Sequence, residues 1–175
     1  MSVRRVVTGH SPDGTAVIVS DEELPPYPIG ALGSATTLCW GRDDPAQFPD
    51  GGANPPIAAS LPPPGGSRLT IMDIAPEGDD FDHFVSHALA PWADPANPGM
   101  HRTPSIDYNI VLTGTVGLEL DDGTEVTLRP GDVVVQNGTR HRWHNRGDAV
   151  ARVASVMIGA HQEAVGGSRL PSTDP

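Results

Sequence analysis

Two histidines and one aspartate carry the most distinctive chemistry in this sequence. His101 and Asp107 lie six residues apart in the stretch "GMHRTPSIDYNIVLTG", and His141 follows in the stretch "GTRHRWHN". Two imidazoles and one carboxylate form the facial triad that binds Fe(II) and leaves positions open for substrate and oxygen, and the same set suits Mn, Ni or Zn. The sequence therefore predicts His101, Asp107 and His141 as metal ligands and as the catalytic residues.

The parity of these residues decides whether they can meet. Side chains of equal parity in a strand share one face, so His101 and Asp107 lie on the same side of a predicted strand. If that face and the face of His141 both point inward, the three groups converge in a polar cavity of a barrel. Other side chains on these inward faces or beside them are predicted to line a substrate pocket: Thr103, Asn109, Gln136 and Trp143.

The elements that position these residues are predicted to be strands. From residue 101 onward, six extended segments recur at roughly eight-residue spacing, separated by turn sequences such as "DDG" at 121–123. Earlier strands are predicted at 4–7, 15–19, 34–42 and 67–76, with an extended piece at 57–61 inside a Pro/Gly-rich loop. This pattern indicates an all-β antiparallel barrel or sandwich with an N-terminal strand extension.

A possible short helix near 80–90 is the exception to this pattern. Its apolar residues have helical spacing, Asp79 or Asp80 is available as the N-cap, and Pro91 ends the run. His83 and His87 fall on the opposite, polar face, which predicts that they are solvated. Such a helix could pack over the mouth of the cavity, although a surface loop is an equal alternative. The apolar stripe consists of Phe81, Phe84, Val85 and Leu89.

Composition excludes several classes of function. The chain of 175 residues has 22 acidic and 11 basic residues, so its charge of −11 repels nucleic acid and anionic membrane surfaces. All basic residues are arginine, which excludes Schiff-base and pyridoxal phosphate chemistry because both need a lysine amine. The single cysteine forms no internal disulfide, and no leader or membrane-spanning run is recognisable, so we expect a soluble cytoplasmic protein.

The spacing of these residues resembles the two motifs of the cupin superfamily. The first motif is a glycine, His-x-His, a Glu four residues later and a Gly seven residues after that. His101 takes the first histidine position, Thr103 stands at the second, Asp107 replaces the Glu, and Gly114 closes the motif. The second motif is matched by Gly131, Asp132, Gly138, His141 and Asn145.

The resemblance implies a jelly-roll antiparallel β-barrel with its ligands inside. In metal-binding cupins, both histidines of the first motif, the Glu and the histidine of the second motif hold the ion. Here a threonine replaces one of the four, and a neutral hydroxyl is a poor ligand for a transition metal. Either three ligands hold the metal and leave exchangeable positions, or the pocket no longer holds one.

The domain and function predictions follow from this resemblance. Residues 1–66 are expected to pack on the barrel as strands and loops, 67–160 to form the cupin barrel, and 161–175 to be a loose tail. The expected function is a metal-dependent enzyme, with Fe(II) preferred, acting on a small organic molecule by oxygenase or lyase, dehydratase or cyclase chemistry. The alternative is a non-catalytic small-molecule-binding cupin without a metal. The apolar outward face at 108, 110 and 112 favours a homodimer.

Overall fold

A computed structural model describes residues 1–29, 33–78 and 81–161 and shows strands with a single short helix in that part of the chain. The first strands are β1 (Val3–His10), β2 (Ala16–Leu24), β3 (Tyr27–Pro28), β4 (Ala35–Arg42) and β5 (Ser67–Ile74). The helix α1 spans Phe81–Ala88. The later strands are β6 (Ser105–Thr113), β7 (Val116–Leu120), β8 (Glu125–Leu128), β9 (Val133–Asn137), β10 (His141–His144) and β11 (Ala151–Gly159).

Three antiparallel sheets build the fold. β1 and β2 form a hairpin, the order β10-β7-β8 forms a three-stranded sheet, and the order β3-β4-β5-β11-β6-β9 forms a six-stranded sheet. The predicted all-β antiparallel class is confirmed. The strand ladders of the described residues do not close into one continuous barrel, however, so the two larger sheets pack as separate layers. None of the described residues forms a helix that is both long and apolar enough to cross a membrane.

The alternation predicted for the strand that carries the candidate ligands is confirmed. In β6, Ser105, Asp107, Asn109 and Val111 are buried, and the residues between them are exposed. His101, just before the strand, is buried as well. Buried polar groups in a strand need partners, so this inward face is where the chemistry of the protein is to be sought.

The hydrophobic core joins both large sheets to the helix. Each fully buried aliphatic or aromatic side chain contributes roughly 1.5–3 kcal/mol of transfer free energy, so this cluster holds the layers together. Trp143 from β10 packs in the same cluster. The other members are Ile74, Phe81, Val85, Val111, Val116, Leu118, Ala151 and Val153.

The predicted helix exists and turns its apolar stripe inward. Phe81 and Val85 are buried in α1, whereas His83 and His87 are exposed, as the spacing predicts. Ser86 Oγ accepts a hydrogen bond from the Gly99 amide at 3.0 Å, which ties the helix to the segment before His101. The predicted N-cap residues, 79 and 80, lie outside the described residues, as does the predicted tail from 162 onward.

The loop between β4 and β5 differs from expectation in one respect. The extended piece predicted at 57–61 is not a strand, because the backbone there bends around a buried arginine instead of pairing with a neighbour. The Arg68 guanidinium donates to the Ala59 carbonyl at 2.8 Å and to the Leu61 carbonyl at 3.3 Å. It also donates to Arg42 O at 2.8 Å and pairs with Asp43 at 2.5 Å.

Candidate active site

A cavity of about 200 Å³ lies between α1, β10 and the inner face of the six-stranded sheet. One part of its wall is apolar and comes largely from the helix, with Phe81, Phe84 and Val85. The other part is polar. All seven residues that the sequence predicts for the site line this cavity: His101, Thr103, Asp107, Asn109, Gln136, His141 and Trp143.

Two buried histidines face each other in the wall of the cavity. His101 and His141 form an isolated antiparallel bridge, with amide-to-carbonyl hydrogen bonds of 2.9 and 2.8 Å between their backbones. This pairing brings the two imidazole rings to a centroid distance of 4.2 Å at an interplanar angle of 54°. Residues 40 apart in sequence are thus brought together by backbone pairing rather than by contacts of their side chains.

The orientation of both rings is set by backbone carbonyls. His101 Nδ1 lies 2.9 Å from Gly99 O, and His141 Nδ1 lies 3.0 Å from Thr139 O. A carbonyl only accepts hydrogen bonds, so each Nδ1 carries the proton and each Nε2 keeps its lone pair. Within the described chain, neither Nε2 atom has a hydrogen-bond partner.

Burial keeps this pair neutral. Loss of hydration, and to a smaller extent the neighbouring His101, lower the pKa of His141 to about 3, against the opposing effect of the bond to Thr139. The pKa of His101 is likewise lowered by burial, against the opposing effects of Gly99 and the Asp82 carboxylate. Two neutral imidazoles with free lone pairs are the form in which histidine binds a metal ion or accepts a proton from a ligand.

Asp107 lines the same cavity but has partners of its own. Thr103 Oγ1 donates to Asp107 Oδ2 at 2.9 Å, and Ser105 Oγ donates to Oδ1 at 2.6 Å. Burial raises the pKa of the Asp107 carboxyl, and the two hydroxyl donors oppose that rise. Thr103, which stands at a histidine position of the motif, therefore holds the carboxylate.

The three predicted ligands line one cavity but do not form a single cluster in this structure. Among the described residues, no group of three or more His, Cys, Asp or Glu side chains is placed to share one metal ion. The physical reason is that the hydroxyls of Thr103 and Ser105 hold the short side chain of Asp107 on its own strand. The pair His101 and His141 fits a transition metal by its chemistry, since each ring anchors one nitrogen on a carbonyl and leaves the other free. Asp107 does not complete that set.

Gln136 brings a buried polar atom without a partner to the cavity wall; outside the cavity, Arg5 Nε and Arg142 Nε also lack a partner in the described residues. Asn109 Nδ2 donates to Gln136 Oε1 at 3.2 Å across the β6–β9 pair. Gln136 Nε2 is buried and has no hydrogen-bond partner in the described residues, although Gln136 is only 2% exposed. Leaving a buried donor unpaired costs about 1–3 kcal/mol, so this amide is costly for the fold alone.

Trp143 belongs to both the core and the cavity. Its ring meets the His141 ring edge to face, at a centroid distance of 6.2 Å and an interplanar angle of 86°. The same side chain packs in the hydrophobic cluster with α1. Trp143 therefore fixes one wall of the cavity and limits the motion of His141.

Asn145 of the second motif and its neighbour His144 serve the fold and not the cavity. Asn145 Nδ2 donates to Ile74 O at 2.7 Å and to Ala149 O at 2.8 Å, so it ties β10 to its neighbours. His144, on the opposite face from His141, lies between Glu77 and Glu119 at 2.9 and 2.6 Å. The parity of the segment separates His141 from His144, as the sequence predicts.

The sequence did not identify the contribution of β5 and β11 to the cavity. Met72 from β5 and Ser155 and Met157 from β11 also line it. The signal that could have found Ser155 is the alternation within β11, which pairs with β6 and places Ser155 opposite Asn109; β5 shows no such alternation.

Comparison with known proteins places the chain in a family. The model of the cupin domain matches residues 93–158, the part that carries His101, His141 and the buried polar residues of β6. A curated relative from Diaporthe leptostromiformis is 34% identical over 95% of this chain and 83% of its own length. The chain belongs to the cupin family.

The names and structures of its relatives add context. The relative from Diaporthe leptostromiformis is named phomopsin biosynthesis cluster protein C'. A cupin-domain-containing oxidoreductase of Aspergillus ruber, fogC, is 24% identical over 96% of this cupin and 78% of its own length. The crystal structure of a Cupin 2 conserved barrel domain protein from Salinispora arenicola is similar at a TM-score of 0.43 and 17% identity, over 75% of this chain and 82% of that one.

Proposed function

We propose that this cupin is an enzyme of the oxidoreductase type that acts on a small organic molecule bound in the cavity. The observation that carries the proposal is the pair of buried, neutral imidazoles, 4.2 Å apart, whose Nε2 atoms have no partner in the described chain. A fold that only needed stability would not hold two lone pairs side by side. The oxidoreductase names of its relatives favour this class.

The reactive centre that we propose is formed by His101 and His141. These two residues would hold a divalent transition metal, Fe(II) in preference to Mn, Ni or Zn, with further positions left to solvent and substrate. Such an ion, when bound, would supply Lewis acidity or a one-electron centre. We propose oxygenase chemistry in the first place and lyase, dehydratase or cyclase chemistry in the second.

The protein's own side chains have distinct roles in this proposal. The carbonyls of Gly99 and Thr139 orient the two imidazoles, so that their free nitrogens need no reorganisation when a ligand arrives. Asp107 and Thr103 present a polar group beside the substrate, and Asp107 stays hydrogen-bonded to the threonine throughout. The helix α1 and Trp143 exclude water from the apolar part of the cavity.

Metal content tests this proposal. The protein is loaded with Fe(II) under anaerobic conditions, unbound metal is removed, and the iron content is measured by elemental analysis. The same measurement is made on His141→Ala and on the control His83→Ala, because His83 is exposed on α1. We expect about one iron per chain in the wild type and in the control, and less than about a tenth in His141→Ala. Less than about a tenth of an equivalent of any transition metal in the wild type would contradict the metal centre.

A second candidate function is a metal-free binding module. The observation that favours it is that Asp107 is held by Thr103 and Ser105 and does not join the histidine pair. A module of this kind gains thermal stability from its ligand by mass action whether or not a chelator is present. Loss of the ligand-induced rise in melting temperature after chelation would exclude it in favour of the enzyme.

The partner that we propose is a second copy of the chain. The outer face of β6 and of the edge strand β9 exposes a continuous apolar patch, with Tyr108 40%, Ile110 37%, Val133 59% and Val135 57% exposed. A patch of this kind on an edge strand needs a cover. Light scattering should give twice the 18.3 kDa mass of one chain, and Val135→Glu should give a monomer. A monomeric wild type would contradict the homodimer.

A further inference from the structure

From the wall of the cavity we infer the class of substrate: an uncharged molecule with an apolar body and one oxygen acceptor that binds Gln136. The inference rests on the proposed function in one respect, that the cavity is where the substrate binds. It goes further in naming the polarity of the substrate and the residue that selects it. Gln136 would determine substrate specificity, whereas the histidine pair would form the reactive centre.

The wall's own side chains offer no cationic partner for an anion. None of the arginines in the described residues lines the cavity, and the chain has no lysine. The ionisable side chains that line it are His101, His141 and the carboxyl group of Asp107. A carboxylate or phosphate bound at Gln136, and not at the proposed metal ion, would lose its hydration and lie near Asp107 without an arginine or lysine to offset its charge. An uncharged substrate avoids that cost.

The amide of Gln136 supplies the specific contact. Its Oε1 accepts a hydrogen bond from Asn109 Nδ2 at 3.2 Å, which directs Nε2 away from Asn109. Gln136 pairs with Asp107 in the register of β6 and β9, but the Asp107 carboxyl oxygens accept from Thr103 and Ser105 and not from Gln136 Nε2. Nε2 therefore remains a buried donor without an acceptor in the described chain. A carbonyl, ether or hydroxyl oxygen of the substrate satisfies it.

The remaining wall accommodates the apolar body of the substrate. Phe81 and Phe84 from α1, Met72 from β5 and Trp143 from β10 surround the space beside Gln136 and the histidines. Aromatic side chains and methionines together favour a flat or branched hydrocarbon portion. The size of the cavity, about 200 Å³, limits the substrate to a compact molecule.

Matched ligands test the inference by binding alone. Two sets of three ligands are used, and within a set only one substituent differs: a ketone, a carboxylate or an ethyl group. The naphthalene set is 2-acetylnaphthalene, 2-naphthoate and 2-ethylnaphthalene. The benzene set is acetophenone, benzoate and ethylbenzene. Dissociation constants are measured by calorimetry with the full chain in a chelator, so that no bound cation attracts the carboxylate. In at least one set we expect the ketone to bind about tenfold more tightly than either analogue, because only the ketone satisfies Gln136 without adding charge.

A variant then assigns the preference to one residue. Gln136→Met keeps the length of the side chain and removes its donor, so the ketone should fall to the affinity of the ethyl analogue. Gln47→Met, at an exposed position of the β4–β5 loop, should leave all six affinities unchanged. If the Met variant does not fold, Gln136→Leu, which also lacks a donor, replaces it with the same expectation for the ketone.

The outcomes separate this inference from the proposed function. Equal or tighter binding of the carboxylates, or binding of none of the six ligands, overturns the inference. An unchanged ketone preference in the Gln136 variant overturns the role of Gln136. If the ketones bind as expected while the metal analysis finds no metal, the inference stands and the metal-dependent enzyme fails.

Discussion

Arg68 and the polar wall of the cavity are buried to a similar extent, but they differ in how their polar atoms are satisfied. Arg68 is 1% exposed, and each of its three guanidinium nitrogens donates to backbone carbonyls or to Asp43. Gln136 and His141 are both 2% exposed; Gln136 Nε2 has no partner in the described chain, and His141 makes its hydrogen bond through Nδ1 and leaves Nε2 without one. Burial alone therefore does not distinguish a structural polar group from a functional one.

This difference indicates which buried groups lower the stability of the folded protein. A fully paired buried group holds distant segments together, as Arg68 does for β4, β5 and the loop at 59–61. An unpaired group destabilises the folded state unless a ligand supplies the missing partner, and the cavity wall is where a ligand could do so. The predictions that follow test this contrast between Arg68 and the cavity wall.

The largest effect is expected from Arg68→Met. The substitution removes every bond of the guanidinium and leaves Asp43 and several carbonyls without their donor, so the free energy of unfolding should fall by about 4 kcal/mol. Urea denaturation measures it, with the exposed Arg129→Met as the control. A loss below about 1 kcal/mol would mean that full pairing does not mark a structural role.

A smaller loss is expected from Asn145→Ala. Asn145 is 2% exposed and bridges Ile74 and Ala149 through its amide nitrogen, so its removal should cost about 2 kcal/mol. Iron binding at the histidine pair should not change, because Asn145 does not line the cavity. Chemical denaturation and metal analysis on the same sample, beside the exposed Asn54→Ala, check both expectations. Loss of iron without loss of stability would reassign Asn145 to the cavity.

The smallest effect is expected from Gln136→Met. This change removes an unpaired donor, which is favourable, and also the acceptor of Asn109 Nδ2, which is unfavourable. The two effects oppose each other, so the free energy of unfolding should stay within about 1 kcal/mol of the wild type. Thermal and urea unfolding measure it. A loss as large as that of Arg68→Met would show that Gln136 is structural.

The alternation of polar and apolar residues was sufficient to predict the cavity lining that comes from residues 101–109. It placed His101, Asp107 and Asn109 on one face of this segment, and the structure buries all three. The motif spacing added His141, and the turn sequences indicated the antiparallel strands. These features are local, because side-chain direction in a strand depends only on parity.

The sequence could not predict what depends on side-chain partners across the fold. Parity brings Asp107 to the cavity, but the hydroxyls of Thr103 and Ser105 decide where its carboxylate lies. The role of Arg68 was missed for the same reason, since its partners come from a loop that sequence patterns leave irregular. The extended piece expected at 57–61 is not a strand because that loop bends around Arg68.

The central claim is that His101 and His141 form the reactive centre, and X-ray diffraction at the iron absorption edge tests it most directly. Crystals of the Fe(II)-loaded protein should give one strong anomalous peak beside the Nε2 atoms of both imidazoles, and His141→Ala crystals should lack it. A peak at another position, or no peak in crystals of a protein that carries a full equivalent of iron, would contradict the claim.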